Sequence, residues 1–441
     1  MRSRLLGGLV VGALGWASAA YAADPVQKGP YLLHLGASSV DVRVELASAA
    51  AISVDAVVDG PSDAGVARTF ASPSATFHSV HLTGLTPATR YRYTVHAGAG
   101  AAVTGTFLTA PDGASRAPFT FVVYGDNRSD GPAHERVVRA VQRESYDFLV
   151  NTGDFVIDGG DDSAWQRFFD IEEPILRDHP LFACIGNHEL ADDRQAAHFA
   201  RYLGPTEPSG PSAAAPPIYG SFRWGRARFF LLNAFVDWAS GAERTWLEDA
   251  LGQADHEPGV DLRVAVIHHG PHSAGPHGDN ERLLAAHIDD LLVAHHVDLV
   301  LAGHDHIYER GEAKGLKYIV TGGGGAPLYR ETRPIPSTRK VEATYNYVLA
   351  TVSDDGVAIL AKRADGSTLD QCSFARGGSW LCDPKPAARP ASSSGGAATA
   401  PPSPGPCGCS VPGAPGRSPL APFALALVAL VLVRRRSGAE T

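Results

Sequence analysis

The sequence predicts an α/β domain preceded by a smaller all-β sandwich, and three observations support that prediction. Residues 24–112 hold short alternating strands with turn residues and no helical periodicity, the pattern of a β-sandwich. Residues 118–376 alternate apolar runs with amphipathic stretches, the pattern of an α/β domain. Five of those runs end in residues that bind metals or phosphate: 119–126 (FTFVVYGD), 148–154 (FLVNTGD), 181–188 (LFACIGNH), 262–269 (LRVAVIHH) and 297–306 (VDLVLAGHDH). Apolar runs of this length closed by glycine read as buried strands. In open α/β sheets ligands bind beyond the carboxyl ends of the strands. Strands that deliver Asp126, Asp154, Asn187-His188, His268-His269 and His304-Asp305-His306 to one rim describe a metal centre.

Within the sandwich, residues 40–46, 51–58 and 91–97 read as separate strands. The segment 85–93 (LTPATRYRY) resembles the tyrosine-corner segment of fibronectin type III domains, in which Tyr91 would bond back to the backbone. In the α/β part, 134–143, 245–251 and 281–294 read as amphipathic helices. The chain has 441 residues, more than one core usually spans, so more than one domain is expected. Charged residues make up 19% and the net charge is -9, which leaves no basic footprint for nucleic acid.

The two ends carry their own signals. Residues 1–22, with Arg2, Arg4, an apolar stretch and Ala20-Tyr21-Ala22, read as a secretory signal peptide. The five cysteines fit an oxidising compartment: Cys372 and Cys382 could pair, and Cys184 reads as a free core thiol. Residues 384–419 are a Pro/Ala/Ser/Gly linker, 420–433 an apolar tail, and 434–436 an arginine cluster. A tail of about 14 apolar residues is marginal against the roughly 20 that a span takes. Together with Cys407-Gly408-Cys409 it resembles the C-terminal sorting tails of myxobacterial surface proteins, which implies attachment to the cell surface or outer membrane. A plain single-span anchor is the other reading.

Taken in order, Asp126, Gly153-Asp154, Gly186-Asn187-His188-Glu189, His268 and Gly303-His304-Asp305-His306 resemble the motifs of the calcineurin-like metallophosphoesterases. The all-β leader and Gly303–Arg310 (GHDHIYER) are most similar to the purple acid phosphatase branch. The resemblance covers roughly residues 24–370 and implies an αββα sandwich behind the leader. It also implies two metal ions per chain, with Asp126, Asp154 and His306 on one and Asp154, Asn187, His268 and His304 on the other. Two cations about 3.5–4 Å apart need an anionic bridge, a role that suits Asp154. Mixed nitrogen and oxygen donors fit Fe, Mn or Zn better than Ca or Mg. Strand alternation leaves His268 and His269 open as ligands; the family pattern favours His268.

The chain departs from the family at two places. Many relatives have Asp-x-His where this one has Asp126-Asn127-Arg128, and Ile157 stands where the purple enzymes place a tyrosine. Two metals without the colour are therefore expected. Arg128 could contact phosphate or form a loop salt bridge. The resemblance implies in-line attack on phosphorus by a hydroxide that the cations make available near neutral pH, with His188 binding phosphate and protonating the leaving oxygen. His277, on the loop after His268, is a candidate for facing substrate, and His272 a weaker one. Glu189 and Asp305 are read as orienting the neighbouring histidines. Asp158, Asp161 and Asp162 are read as a solvated loop, Gly322–Gly325 as a tight turn, and Tyr308, Glu309 and Arg310 as local packing. The expected partner is a small phosphate ester, with a monoesterase leading. A phosphodiesterase or nucleotide hydrolase on the same core, or a non-catalytic surface adhesion protein, are the alternatives.

Overall fold

Alternation along the strands builds three apolar layers. Phe121, Val123, Phe148 and Val150 point one way, into a core shared with Phe229, Leu231, Val264, Val266 and Leu301. Val122, Tyr124, Leu149 and Leu181 point the other way, beneath helix residues such as Val137, Trp165 and Phe168. Phe230, Leu232, Ala265, Ile267 and Val300 form the third layer with Leu247, Leu251, Ile288 and Leu292. The result is helix, sheet, sheet, helix, as expected from the sequence. The computed structural model describes residues 26–60, 67–98, 102–204 and 218–382. The expected signal peptide, linker, Cys407, Cys409 and apolar tail lie outside the described residues. Among the described residues no helix is long and apolar enough to cross a membrane.

The all-β part comprises β1 (Val26–Leu33), β2 (Ser39–Val58), β3 (Arg68–Thr83), β4 (Arg90–Ala97) and β5 (Val103–Leu108). The two strands expected at 40–46 and 51–58 are one strand, β2, which bends through register shifts between Glu45 and Ile52. Its first half pairs with β1 and its second with β4. Thr86 donates its backbone N–H to the Tyr91 hydroxyl at 2.9 Å, the corner bond that the sequence implied.

The α/β part runs β6 (Phe119–Tyr124), α1 (Gly131–Val141), β7 (Phe148–Asn151), α2 (Asp162–Leu176), β8 (Leu181–Ala183), α3 (Ala197–Leu203), β9 (Gly220–Trp224) and β10 (Ala227–Leu232). It continues through α4 (Ala242–His256), β11 (Leu262–Ile267), α5 (Glu281–Ala285), α6 (Ile288–Ala294), β12 (Leu299–Ala302), β13 (Tyr308–Ala313) and β14 (Leu316–Thr321). It ends with β15 (Thr338–Glu342), β16 (Asn346–Ser353), β17 (Gly356–Arg363), β18 (Thr368–Phe374) and β19 (Leu381–Cys382). One sheet orders β19-β18-β17-β16-β6-β7-β8 and continues through β1 into the all-β part; the other orders β15-β13-β14-β12-β11-β10-β9. Strands β6, β7 and β8 are mutually parallel, as are β10, β11, β12 and β14. Their carboxyl ends therefore share one rim.

The all-β part is bolted to this domain rather than tethered by a linker. Leu32, Val42, Val54, Tyr93 and Phe107 belong to the same buried cluster as Phe121 and Phe148. The Tyr93 hydroxyl donates to Arg177 O at 2.8 Å, and the Tyr31 hydroxyl to Tyr202 O at 3.1 Å.

The single helix expected over 281–294 is two, α5 and α6, broken at His287 (φ 55°). Arg244 on α4 donates to the Ala286 carbonyl at 2.6 Å, capturing an acceptor that a continuous helix would use. The acidic loop at 158–162 turns out to be a helix start: Asp161 caps α2 by accepting from Ser163 N–H at 2.8 Å. A disulfide joins Cys372 to Cys382, and Cys184 is a buried free thiol whose ionisation burial disfavours. A cavity of about 690 Å³ beside that disulfide is lined by no charged side chain.

Candidate metal centre

Each loop leaving β6 and β7 reverses sharply, and the reversal falls on the acidic residue itself. Asp126 (φ 59°) and Asp154 (φ 60°) both adopt the left-handed backbone region, as does His304 (φ 69°). Such conformations are costly for non-glycine residues and concentrate at functional sites. His304 itself makes the turn that lets it and His306 diverge. What Gly303 supplies is closeness, since a Cβ there would sit 2.4 Å from Asp126 Oδ2, and one at Gly186 would sit 2.2 Å from Asp154 Oδ1. The loops brace each other: Asp126 N–H donates to Gly153 O, and Asn127 N–H to Asp154 O, both at 2.9 Å.

The side chains converge. One donor atom each from Asp126, Asp154 and His268 lie within 4.8 Å of one another, all buried. His268 Nε2 is 3.3 Å from Asp154 Oδ1, and His306 Nε2 is 3.6 Å from Asp126 Oδ1. His304 Nδ1 is 3.3 Å from His268 Nε2. Tautomers follow from the partners, because a carbonyl only accepts. His268 Nδ1 donates to Thr152 O at 2.8 Å and His306 Nδ1 to Pro327 O at 2.6 Å. Their Nε2 atoms are thus left as ligand atoms facing the centre. His269 instead places Nε2 3.1 Å from Gly278 O and lays its ring on His304. Of the two histidines, His268 is the one that faces the carboxylates.

The donor set fits cations. Asn187 Oδ1 and Thr152 Oγ1 are buried with no hydrogen-bond partner among the described residues, a costly state that a metal ligand atom or a bound water resolves. Burial, and then the charge of Asp154, push Asp126 well above the usual carboxylate range. Burial also opposes ionisation of Asp154, but His268, His188 and Arg128 outweigh it and hold its carboxyl below that range. Burial works against protonation of His268, yet Asp154 and Asp126 raise it to about 9. Burial lowers His306 to about 4, with Arg128 adding to the effect, and it depresses His304 further. A buried pair of acids that recruits positive charge from its neighbours is a pair built to face cations.

The remaining predicted residues surround this cluster. His188 Nδ1 donates to Ile157 O at 2.7 Å, and its Nε2 stands 3.9 Å from Asp154 Oδ2. His277 Nδ1 is 2.8 Å from Asp305 Oδ1 and its ring lies tilted against His304 at 4.2 Å, so Asp305 orients His277 and not the adjacent His304 and His306, whose Nδ1 atoms face His268 and Pro327 O. His272 turns away, toward Asp279 and Tyr318. Arg128 donates Nε–H to Asp154 Oδ2 at 3.1 Å and places Nη2 3.2 Å from His306 Nε2. Ile157 is 42% exposed and lines a cavity of about 300 Å³ with Arg128, Phe155 and Phe168. Gly324 and Ala326 donate their amides inward, to Gly125 O and Asp126 O, so the glycine run backs the Asp126 loop and those two amides cradle no anion.

One expected role is corrected. Glu189 orients no histidine; it accepts the backbone N–H groups of Asp154, Phe155 and Gly186 at 2.8–2.9 Å and of Val156 at 3.3 Å. It pins the Asp154 loop from inside the protein. Glu189→Ala would strand these buried donors and is expected to lower stability by about 3 kcal/mol or more. Glu189→Gln, which keeps an acceptor oxygen, should lose less; thermal unfolding of the two variants checks the order.

A second buried device escaped the sequence reading. Glu172 accepts from the Tyr124 hydroxyl at 2.8 Å and lies 2.6 Å from His134 Nε2. Asn127 contacts both His134 and Glu172, and accepts from Asn151 Nδ2 at 2.7 Å. Asn151 in turn accepts Gly153 N–H at 2.9 Å. This network ties both ligand loops to α1 and α2. Its only trace in the sequence is a polar residue on the apolar face of each helix.

Comparison with known proteins agrees with this geometry. Residues 119–308 match the family described as Calcineurin-like phosphoesterase. Purple acid phosphatase 23 of Arabidopsis thaliana is 30% identical over 174 residues, covering 37% of this chain and 37% of the relative. Acid phosphatase type 7 of Homo sapiens is 27% identical over 255 residues, covering 53% and 56%. The chain thus spans less than two thirds of the length of these relatives. In fold it is similar to purple acid phosphatase PPD1 from yellow lupin seeds, with TM-score 0.65, 18% identity and coverage of 79% of this chain and 74% of that one. It is also similar to PhoD, with TM-score 0.65, 12% identity and coverage of 81% and 92%. Residues 119–308 are therefore a calcineurin-like metallophosphoesterase domain with purple acid phosphatases among its relatives.

Proposed function

We propose that the protein hydrolyses phosphate monoesters with a dinuclear metal centre, outside the cytoplasm and attached to the cell surface. The single observation behind this reading is the convergence of Asp126, Asp154, His268, His304 and His306 with an orphaned Asn187 carbonyl oxygen on one rim. Secretion and attachment rest on the sequence of residues 1–22 and 384–436 alone.

Asp154, Asn187, His268 and His304 would hold one ion, and Asp126, Asp154 and His306 the other. Bound there, such ions lower the pKa of water toward neutrality and neutralise charge on a phosphoryl group. The chain's own residues do the rest. The Ile157 carbonyl fixes His188 Nδ1 as a donor, which leaves Nε2 to carry a proton to the departing alkoxide. Asp305, itself held by Ser273, does the same for His277, whose ring lies beside that of His304. The cavity next to Arg128 offers room for the organic part of a small ester. A diesterase or nucleotide hydrolase would use the same centre.

The test is metal analysis of purified protein together with turnover of matched monoesters and diesters. The expected result is two ions from Fe, Mn and Zn when metal is supplied in excess, faster monoester turnover, and no intense visible band in the iron-loaded protein, because Ile157 offers no phenolate. Metal-free protein that stays inert after reconstitution would sink the proposal, and a preference for diesters would replace its substrate.

A further inference from the structure

Charge and donor count are unequal on the two sides of Asp154. One side gathers Asp154 Oδ1, His268 Nε2 and His304 Nδ1, and Asn187, whose buried Oδ1 has no hydrogen-bond partner among the described residues and whose neighbour His188 bonds Asp154 Oδ1 through its N–H, would make a fourth donor. The other has three: Asp126, Asp154 Oδ2 and His306 Nε2. Arg128 already engages two of those three, through Nε–H on Asp154 Oδ2 and Nη2 against His306 Nε2. The adjoining residue Ile157 brings no donor atom to that side. The Arg128 side chain is only 12% exposed, so the guanidinium is packed against these groups and does not sample solvent freely. A guanidinium stays charged at any working pH and repels a cation at contact distance.

We propose, building on the two-metal reading, that Arg128 competes with the ion on the Asp126–His306 side. The protein therefore holds one ion tightly on the Asn187–His304 side and takes up the second weakly and reversibly. Arg128 acts as a built-in substitute for the second cation. It neutralises Asp154 while that ion is absent and must be displaced before three donors can close on metal.

The experiment is equilibrium binding of Mn²⁺ to chelator-stripped full-length protein, with free Mn²⁺ followed by electron paramagnetic resonance and total metal by mass spectrometry. The wild type should show one tight equivalent and a second at least about 10-fold weaker. Arg128→Ala should tighten the second site by about 10-fold or more and leave the first unchanged. Arg128→Gln, which keeps most of the bulk and removes the charge, should do the same. Two equal sites in the wild type, or a second site indifferent to both variants, would overturn the proposal. So would a gain in Arg128→Ala alone, since that assigns the effect to space rather than charge. Binding of no metal at all would instead sink the two-metal reading on which the proposal rests.

Discussion

Asp154→Asn is expected to abolish turnover and to strip metal from the centre. The two oxygens of Asp154 face different groups of the centre, Oδ1 toward His268 and Oδ2 toward Arg128. An amide carries one oxygen and no charge, so it cannot bridge two cations. The loss goes beyond chemistry, because Asp154 also accepts the His188 backbone N–H at 3.1 Å and so holds the loop that presents Asn187. Removing the anion leaves the largely buried Arg128 guanidinium without its counter-charge, an arrangement that repels a metal further. Activity should fall by at least about 10³-fold. Metal content, measured on the same sample, should fall below one ion per chain. Full metal occupancy in Asp154→Asn would refute the bridging role.

How much of this was legible in the chain depends on the kind of residue. The strand ends were legible because a buried apolar run followed by Gly-Asp or Gly-His has few other uses, and parallel order places such ends together. The tyrosine corner was legible because Tyr91 stands five residues past the Thr86 N–H that it bonds. The bend in β2 was not, since the turn residues between 46 and 51 look the same whether the chain reverses or bulges. The break at His287 depends on a side chain from another helix, Arg244, which no local pattern contains. The task of Glu189 could not be read either: a carboxylate beside a histidine looks like an orienting group until its backbone partners are seen. Left-handed conformations at Asp126, Asp154 and His304 are uncommon for any residue but glycine, leave no periodic signal in the sequence, and are held by the surrounding structure. The contact of Arg128 with both Asp154 and His306 was half visible, since a loop salt bridge was one of its two readings, beside phosphate contact, and its partners were not named.

His188→Ala is expected to cut turnover by roughly 10²–10⁴-fold, the range for general acid–base groups, while metal content stays that of the wild type. The structure separates His188 from the ligands by its tether. Its Nδ1 is committed to the Ile157 carbonyl, and its Nε2 approaches Asp154 Oδ2 no closer than 3.9 Å. The backbone N–H that steadies Asp154 belongs to the main chain and survives the substitution. Its side chain is 23% exposed, at the rim where substrate would arrive, which suits proton transfer to a leaving oxygen. A leaving group that departs without protonation should therefore be affected least: an activated aryl ester should lose less rate in His188→Ala than an alkyl ester of the same charge. Metal analysis of the variant gives the second readout. Loss of an ion comparable to that in Asp154→Asn would make His188 a ligand, and equal rate losses on both esters would assign it to phosphate binding instead of proton delivery.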